Sequence, residues 1–336
     1  MTRQTRTVTR WRHGLRALAL GLVAALGATT GAGAAAAATF PSQPIRLVVP
    51  FPPGGPSDVT ARAISSGMSQ ALGQPVVVEN RPGAGAVLAS ESVLNSAHDG
   101  HTLLMASNIL STGKALYPNL RFDPARDFRA VAGVFKSPHV VVVAPTFPGD
   151  GIQDLLRYAD EHGEAMDYAS SGAGTMPHLG TELFKQLTGA PMRAIPYKGS
   201  SPALIAVMSG EVPVYFDILL SAQNLVRTGK LKPLAVTSAE RLAQFPNVPT
   251  VMEQGVADFE LYSWFGIVVP SDVPDAVVER LNEAVNEAMR TPAFARQLET
   301  LAALPIGGEA AEFQAMIEQD TELWGRTIEK AGITLE

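Results

Sequence analysis

The chain of 336 residues contains no cysteine. Disulfides, thiolate metal ligands and the lipid-modified cysteine of a bacterial lipoprotein are therefore excluded. Charged residues are sparse, 17% against 46% hydrophobic, a balance that favours a sizeable buried core over disorder. No apolar run approaches the ~20 residues that a membrane-spanning helix needs. Past residue 38 the sequence also lacks internal repeats, low-complexity tracts and any cluster of lysine and arginine.

What comes first in the chain is a basic region, Arg3, Arg6, Arg10, Arg12 and Arg16, then a short apolar stretch at 18–26, then small residues ending at Ala38. That is the layout of a cleavable secretory signal peptide, expected over residues 1–38. Its five arginines leave 21 of the 26 basic residues against 32 acidic ones, so the net charge moves from −6 to −11. A mature chain this acidic lacks the electrostatic footprint of a nucleic-acid binder. A small anion would have to be held by local dipoles at one site, against the overall field.

From Pro44 onward, short β-branched runs alternate with segments of helical period, the pattern of an α/β architecture. "IRLVV" (45–49), "PVVVEN" (75–80), "HTLLMAS" (101–107), "HVVVVAP" (139–145), "VPVYFDIL" (212–219) and "LKPLAVTS" (231–238) predict strands. Helices are predicted between them. Ile64, Met68, Ala71 and Leu72 share a face ahead of Gly73, a left-handed cap. Ser201 reads as the N-cap of a helix with Pro202 at its first position and Gly210 past its end. Thr250 and Glu253 form a capping box. Val277, Val278, Leu281, Val285 and Met289 make one apolar stripe. The chain is expected to cross between two groups of β/α units near 142–145 and again near 262–265, giving a lobe of 39–142 with 263–336 and a lobe of 143–262.

Three strand-to-helix loops carry the candidate chemistry. In "FPPGGPSD", glycines let the backbone approach a ligand, Pro56 holds the bend, and Ser57 or Asp58 caps the helix that follows. The amides of Gly54, Gly55, Ser57 and Asp58 then offer a carboxylate or phosphate the positive end of a helix dipole. Gly55→Val is expected to weaken binding, and Ser57→Ala to do so less. "YASSGAGTMPHLGTELF" repeats the device with Ser170, Ser171, Gly172, Gly174 and Thr175, ahead of a stripe of Leu179, Leu183 and Leu187. "PYKGSSP" adds Tyr197, the cation Lys198 and Gly199. In open parallel sheets such loops gather at the carboxyl ends of the strands, where ligands bind.

Catalytic readings are weaker. Ser170 or Ser171 with His178 suggests a secreted hydrolase, but no Gly-x-Ser-x-Gly elbow surrounds either serine and no acid is assigned to orient the histidine. His178 reads better as a lining or capping group. "GAGAVLA" has Leu88 at the third glycine position of a dinucleotide fingerprint. His98 and His101 sit in one turn without a third metal ligand. No cofactor or metal is implied. Asp217, at the end of a strand beside the presumed cleft, is kept as an acceptor for a ligand amine or water.

Taken in order, "PIRLVVPFPPGGPSDVTAR", "VVVENRPGAGA", "FDPARDF", "SSGAGTMPHL", "PYKGSSPA" and "FPNVPTVMEQG...WFGIVVP" resemble the Bug family of extracytoplasmic solute receptors, the binding components of tripartite tricarboxylate transporters. The resemblance spans nearly all of 41–330. It implies a type II periplasmic binding-protein fold, two α/β lobes closing on a ligand, and no enzyme activity. It also implies a monomer in the periplasm that takes a small organic carboxylate, through main-chain amides and waters, and passes it to membrane permease subunits. A receptor that presents its closed form to a signalling partner would use the same fold. Carried onto this chain, Pro53, Gly54, Gly55, Ser57, Asp58, Ser107, Asn108, Ser170, Ser171, Gly172, Gly174, Thr175, His178, Lys198, Gly199 and Asp217 are the implied lining positions. The chain departs from the pattern at Ala86, often glycine, at His98 and His101, and at Pro213, which suggests an edge strand or a bulge.

Overall fold

The computed structural model describes residues 40–83, 86–163 and 166–335; the segment read as a signal peptide lies outside them. β1 (Ile45–Val49) leads into α1 (Pro56–Leu72), β2 (Val76–Asn80), α2 (Val87–Leu94), β3 (Thr102–Ser107), α3 (Ile109–Leu116) and the single turn α4 (Pro124–Asp127). β4 (Phe128–Val143) is followed by α5 (Ile152–His162), β5 (Met166–Ser170), α6 (Met176–Thr188), β6 (Met192–Pro196), α7 (Ser200–Ser209), β7 (Val214–Ile218), α8 (Leu219–Arg227) and β8 (Lys232–Val236). β9 (Tyr262–Pro270), α9 (Asp275–Met289), α10 (Pro292–Thr300), β10 (Leu304–Gly307) and α11 (Ala310–Ala331) close the described chain.

The strands order themselves as β2-β1-β3-β9-β4-β7-β5-β6, with β8 and β10 also on β4. β1 pairs in parallel with β2 and β3, and β5 with β6 and β7, while β9 runs antiparallel between β3 and β4. β4 belongs to both halves. As far as Pro138, which faces Tyr262, it pairs with β9; from His139, which faces Ile218, it pairs with β7. Each half thus runs second, first, third and then a crossing strand, β2-β1-β3-β9 in one and β6-β5-β7-β4 in the other.

This strand is the largest departure from the sequence reading, which saw only its second half. "FRAVAGVFKSP" carries Gly133, Lys136 and Pro138, residues unlike those of a central strand, yet its interior positions are buried. Pro213 precedes β7, an interior strand, and so marks neither an edge nor a bulge. Helix α7 begins at Ser200, with Gly199 as its N-cap two residues before the expected Ser201, although Gly210 does close it in the left-handed conformation. Gly73 closes α1 in the same way, at φ 69°. The Thr250–Glu253 capping box forms reciprocally, but around a single turn, Met252–Gln254.

Apolar packing follows the helical stripes. Ile64, Met68 and Leu72 of α1 and Val278, Leu281 and Val285 of α9 are buried, as are Leu179 and Leu183 of α6, whereas Leu187 at the end of that stripe is 46% exposed. Fully burying a side chain of this size contributes ~1.5–3 kcal/mol. Helix α11 serves both halves: Phe313 and Ile317 pack with Val48, Leu104 and Trp264, while Trp324 and Ile328 join Leu179, Leu183 and Phe184.

Candidate functional site

A cavity of about 620 Å³ lies where the two groups of strands meet. Ser107, Asn108, Ser263 and Phe265 come to it from β3, the start of α3 and β9, and Ser171, Thr175, Ser200 and Ile218 from the loop after β5, the start of α7 and the end of β7. Its electrostatics come from backbone ends. Ala86, Asn108, Thr175 and Ile218 are the N-cap residues of α2, α3, α6 and α8, none of them with a side-chain cap bond, and Ser200 opens α7. Unpaired N–H groups and the positive ends of helix dipoles therefore converge on one space. No charged side chain lines the cavity among the described residues.

Of the residues expected from sequence, Ser107, Asn108, Ser171, Gly174 and Thr175 line this cavity; Pro53, Gly54, Gly55, Ser57, Asp58, Ser170, Gly172, His178, Lys198, Gly199 and Asp217 do not. The first loop is corrected most. Neither Ser57 nor Asp58 caps α1, whose N-cap is Gly55. The Gly54 amide donates to Asp58 Oδ2 at 2.9 Å and is thereby taken up inside the protein. Gly54 has φ 83°, so the turn of the loop requires glycine there. Burial works to raise the Asp58 pKa, but bonds from Arg62, the Gly54 amide and Asn80 hold it below the ordinary aspartate value. Asn80 Nδ2 also donates to Phe51 O at 3.0 Å, fixing the part of the loop, Pro50 to Pro52, that does face the cavity.

In the second loop, the Gly172 and Gly174 amides are likewise engaged, by Ser170 Oγ at 3.2 Å and His178 Nδ1 at 3.1 Å. Ser171 Oγ donates to Thr175 Oγ1 at 3.1 Å. His178 is thus a capping group that accepts from Gly174 and stacks on Tyr168, and no hydrogen bond joins it to Ser170 or Ser171 among the described residues. Burial lowers its pKa. Lys198 is exposed. Asn108 is fully committed: Oδ1 accepts the Trp264 amide at 2.9 Å, and Nδ2 donates to Tyr262 O and Asp320. Only its backbone is left to face a ligand. Asp217 is wholly buried one layer behind the wall, its Oδ1 accepting from Ser200 Oγ at 2.7 Å.

Sequence reasoning missed the apolar wall. Phe51 meets Phe265 edge-on at 6.0 Å, Phe265 stacks on Phe135 at 4.7 Å, and Leu116, Tyr117, Met176 and Leu335 line the cavity as well. These residues lie far apart in the chain, so no local pattern links them. Ala86 lines it with φ 74°, a left-handed conformation that glycine adopts freely and alanine rarely. His98 and His101 pair instead with Asp272 and Asp99, away from the cavity. No cluster suited to a metal occurs among the described residues.

Residues 60–333 match the family described as the tripartite tricarboxylate transporter family receptor. The chain belongs to this family, that of the Bug receptors. Protein BugT of Bordetella pertussis is 34% identical over 312 residues, covering 92% of this chain and 96% of BugT. An R. palustris protein solved with adipate is 33% identical, with a TM-score of 0.75, covering 88% of this chain and all of that one. MatC from Rhodopseudomonas palustris, solved with bound malate, is 30% identical with a TM-score of 0.72 and covers 86% of this chain. Like these Bug-type periplasmic binding proteins, the chain has a two-lobe α/β fold. No described helix is long and apolar enough to cross a membrane.

Proposed function

We propose that this Bug-family chain is exported to the periplasm, captures a small organic carboxylate in the cavity between its lobes, and delivers it to the membrane subunits of a tripartite transporter. The lobes divide where β4 changes partners, at Pro138 and His139, and where β9 begins, at Tyr262. The single observation that carries this reading is the convergence of α2 and α3 from one half with α6, α7 and α8 from the other, all by their N-termini, on a cavity without charged side chains. A carboxylate there is met by amides and hydroxyls from both lobes. Charge-assisted contacts of this kind contribute ~1.5–3 kcal/mol each. Two or three formed only on closure would supply the ~5.5 kcal/mol that turns a 1:99 closed-to-open ratio around. Bridging waters complete such contacts at little enthalpic cost.

The solutes seen in relatives, adipate and malate, set the first probes. The test is a thermal-shift screen of the mature chain with linear di- and monocarboxylates, malate and aromatic carboxylates, followed by calorimetry. A carboxylate at 100 times its dissociation constant raises stability by ~2.7 kcal/mol. Absence of any shift across the screen, with amines or sugars binding in its place, would overturn the reading.

A further inference from the structure

Asp217 has no exposed surface, yet the next residue, Ile218, and its partner Ser200 both line the cavity. Ser200 donates to Asp217 Oδ1 at 2.7 Å, and Oδ2 makes no hydrogen bond of normal geometry among the described residues. The surroundings are neutral. Val140 stands opposite on β4, and Leu219 of α8 shares the apolar cluster of Val140 and Tyr215. Tyr215 holds its hydroxyl 3.3 Å from Ser200 Oγ and also interacts with Ser171 and Asp217. Of these groups only Tyr215 titrates besides Asp217, and burial, followed by the nearby Asp217, raises its pKa and keeps it protonated. Burying a carboxylate without a cation is costly. Burial pushes the Asp217 pKa up to about 7, against lesser pulls from Ser200, Tyr215 and the Ile218 amide. A costly group kept one layer behind a binding wall is a candidate for function.

We infer that Asp217 fixes the solute class through Ser200, so that the site takes a monocarboxylate bearing a hydroxyl or ammonium donor at the end that meets Ser200 and disfavours a second carboxylate there. This rests on the carboxylate-receptor reading and adds to it. A serine hydroxyl has one proton and two lone pairs. Once the proton is given to Asp217, only lone pairs remain for Tyr215 and the cavity. A solute donor completes that geometry, whereas a second carboxylate meets an acceptor with a like charge behind it. Between the two ends, Phe51, Phe265, Leu116 and Met176 suit an apolar body. Asp217 acts here as a positioning residue.

The experiment compares adipate with 6-hydroxyhexanoate, which has the same chain length but a hydroxyl for one carboxylate, by calorimetry on the wild type, Asp217→Asn and Ser200→Ala. Measurements at about pH 8 and about pH 6 bracket the Asp217 pKa of about 7. The wild type should favour 6-hydroxyhexanoate about tenfold or more at the higher pH, the worth of one charged hydrogen bond, and less at the lower. Both variants should lose most of that preference, and Asp217→Asn should lose its pH dependence, which a merely structural role would not produce. Ser200→Ala keeps the test open if Asp217→Asn fails to fold. The same preference in all three proteins at both pH values overturns the inference but leaves the carboxylate receptor standing. Failure of adipate, 6-hydroxyhexanoate and hexanoate alike to bind the wild type overturns both.

Discussion

The hydroxyl of Thr237 accepts the amide of His139 at 2.8 Å, at the residue where β4 leaves one sheet for the other. The same oxygen lies 2.7 Å from Leu261 O, just before β9 begins, and the Leu261 amide returns to Thr237 O at 3.1 Å. One fully buried side chain therefore ties together both strands that cross between the lobes. Replacing it by the isosteric valine strands a buried amide and removes a donor. Thr237→Val should cost about 1–3 kcal/mol in urea unfolding, and Thr237→Ser much less. Equal stability of the valine variant would show that the crossing does not depend on this hydroxyl.

His139 itself has no exposed surface; its Nε2 lies 3.4 Å from Ser263 Oγ, and the Leu261 backbone also interacts with the ring. Burial drives its pKa down from 6.5 to about 3. The sign follows from linkage: the unfolded chain binds a proton below 6.5 that the folded chain refuses, so this contribution to stability is complete above 6.5 and is lost as pH falls towards 3. Each pH unit in that window is worth up to ~1.4 kcal/mol. His139→Leu should therefore flatten the dependence of melting temperature on pH between about 7 and 5 relative to the wild type. Parallel curves would mean that the ring is protonated, or hydrated, in the folded protein.

How much of this was legible beforehand depended on whether the cause was local. β1 and α1 were readable because strand run, helical stripe and the left-handed Gly73 all fall within a few tens of residues. That helix N-termini gather at strand ends was readable for the same reason. Its atoms were not. Sequence cannot show that Asp58 claims the Gly54 amide, or that His178 claims that of Gly174, because both depend on how a side chain folds back on its own turn. Phe51 and Phe265 meet only through the order β1-β3-β9, and the first half of β4 was hidden by residues that a central strand normally excludes. β10, four residues including Pro305, left no pattern to read.

Two glycines that look alike in sequence should behave oppositely. Gly55 has φ −77°, and a Cβ there would meet nothing closer than Pro52 O at 3.7 Å. Gly174 lines the cavity at φ 73°, and its Cβ would stand 2.8 Å from Leu335 Cδ1 and 3.1 Å from Leu116 Cδ1. Left-handed backbone costs an alanine ~1–2 kcal/mol, and both leucines, which belong to the wall, would have to give way. Gly174→Ala should lower stability by about that amount and weaken binding of whichever screened carboxylate the wild type takes. Gly55→Ala should leave binding within experimental error and lower stability by only about 0.5–1 kcal/mol, since alanine fits the backbone there but is a poorer N-cap than glycine. Calorimetry and thermal melts on the two variants together decide the matter: a binding loss at Gly55 with none at Gly174 would return the anion site to the first loop.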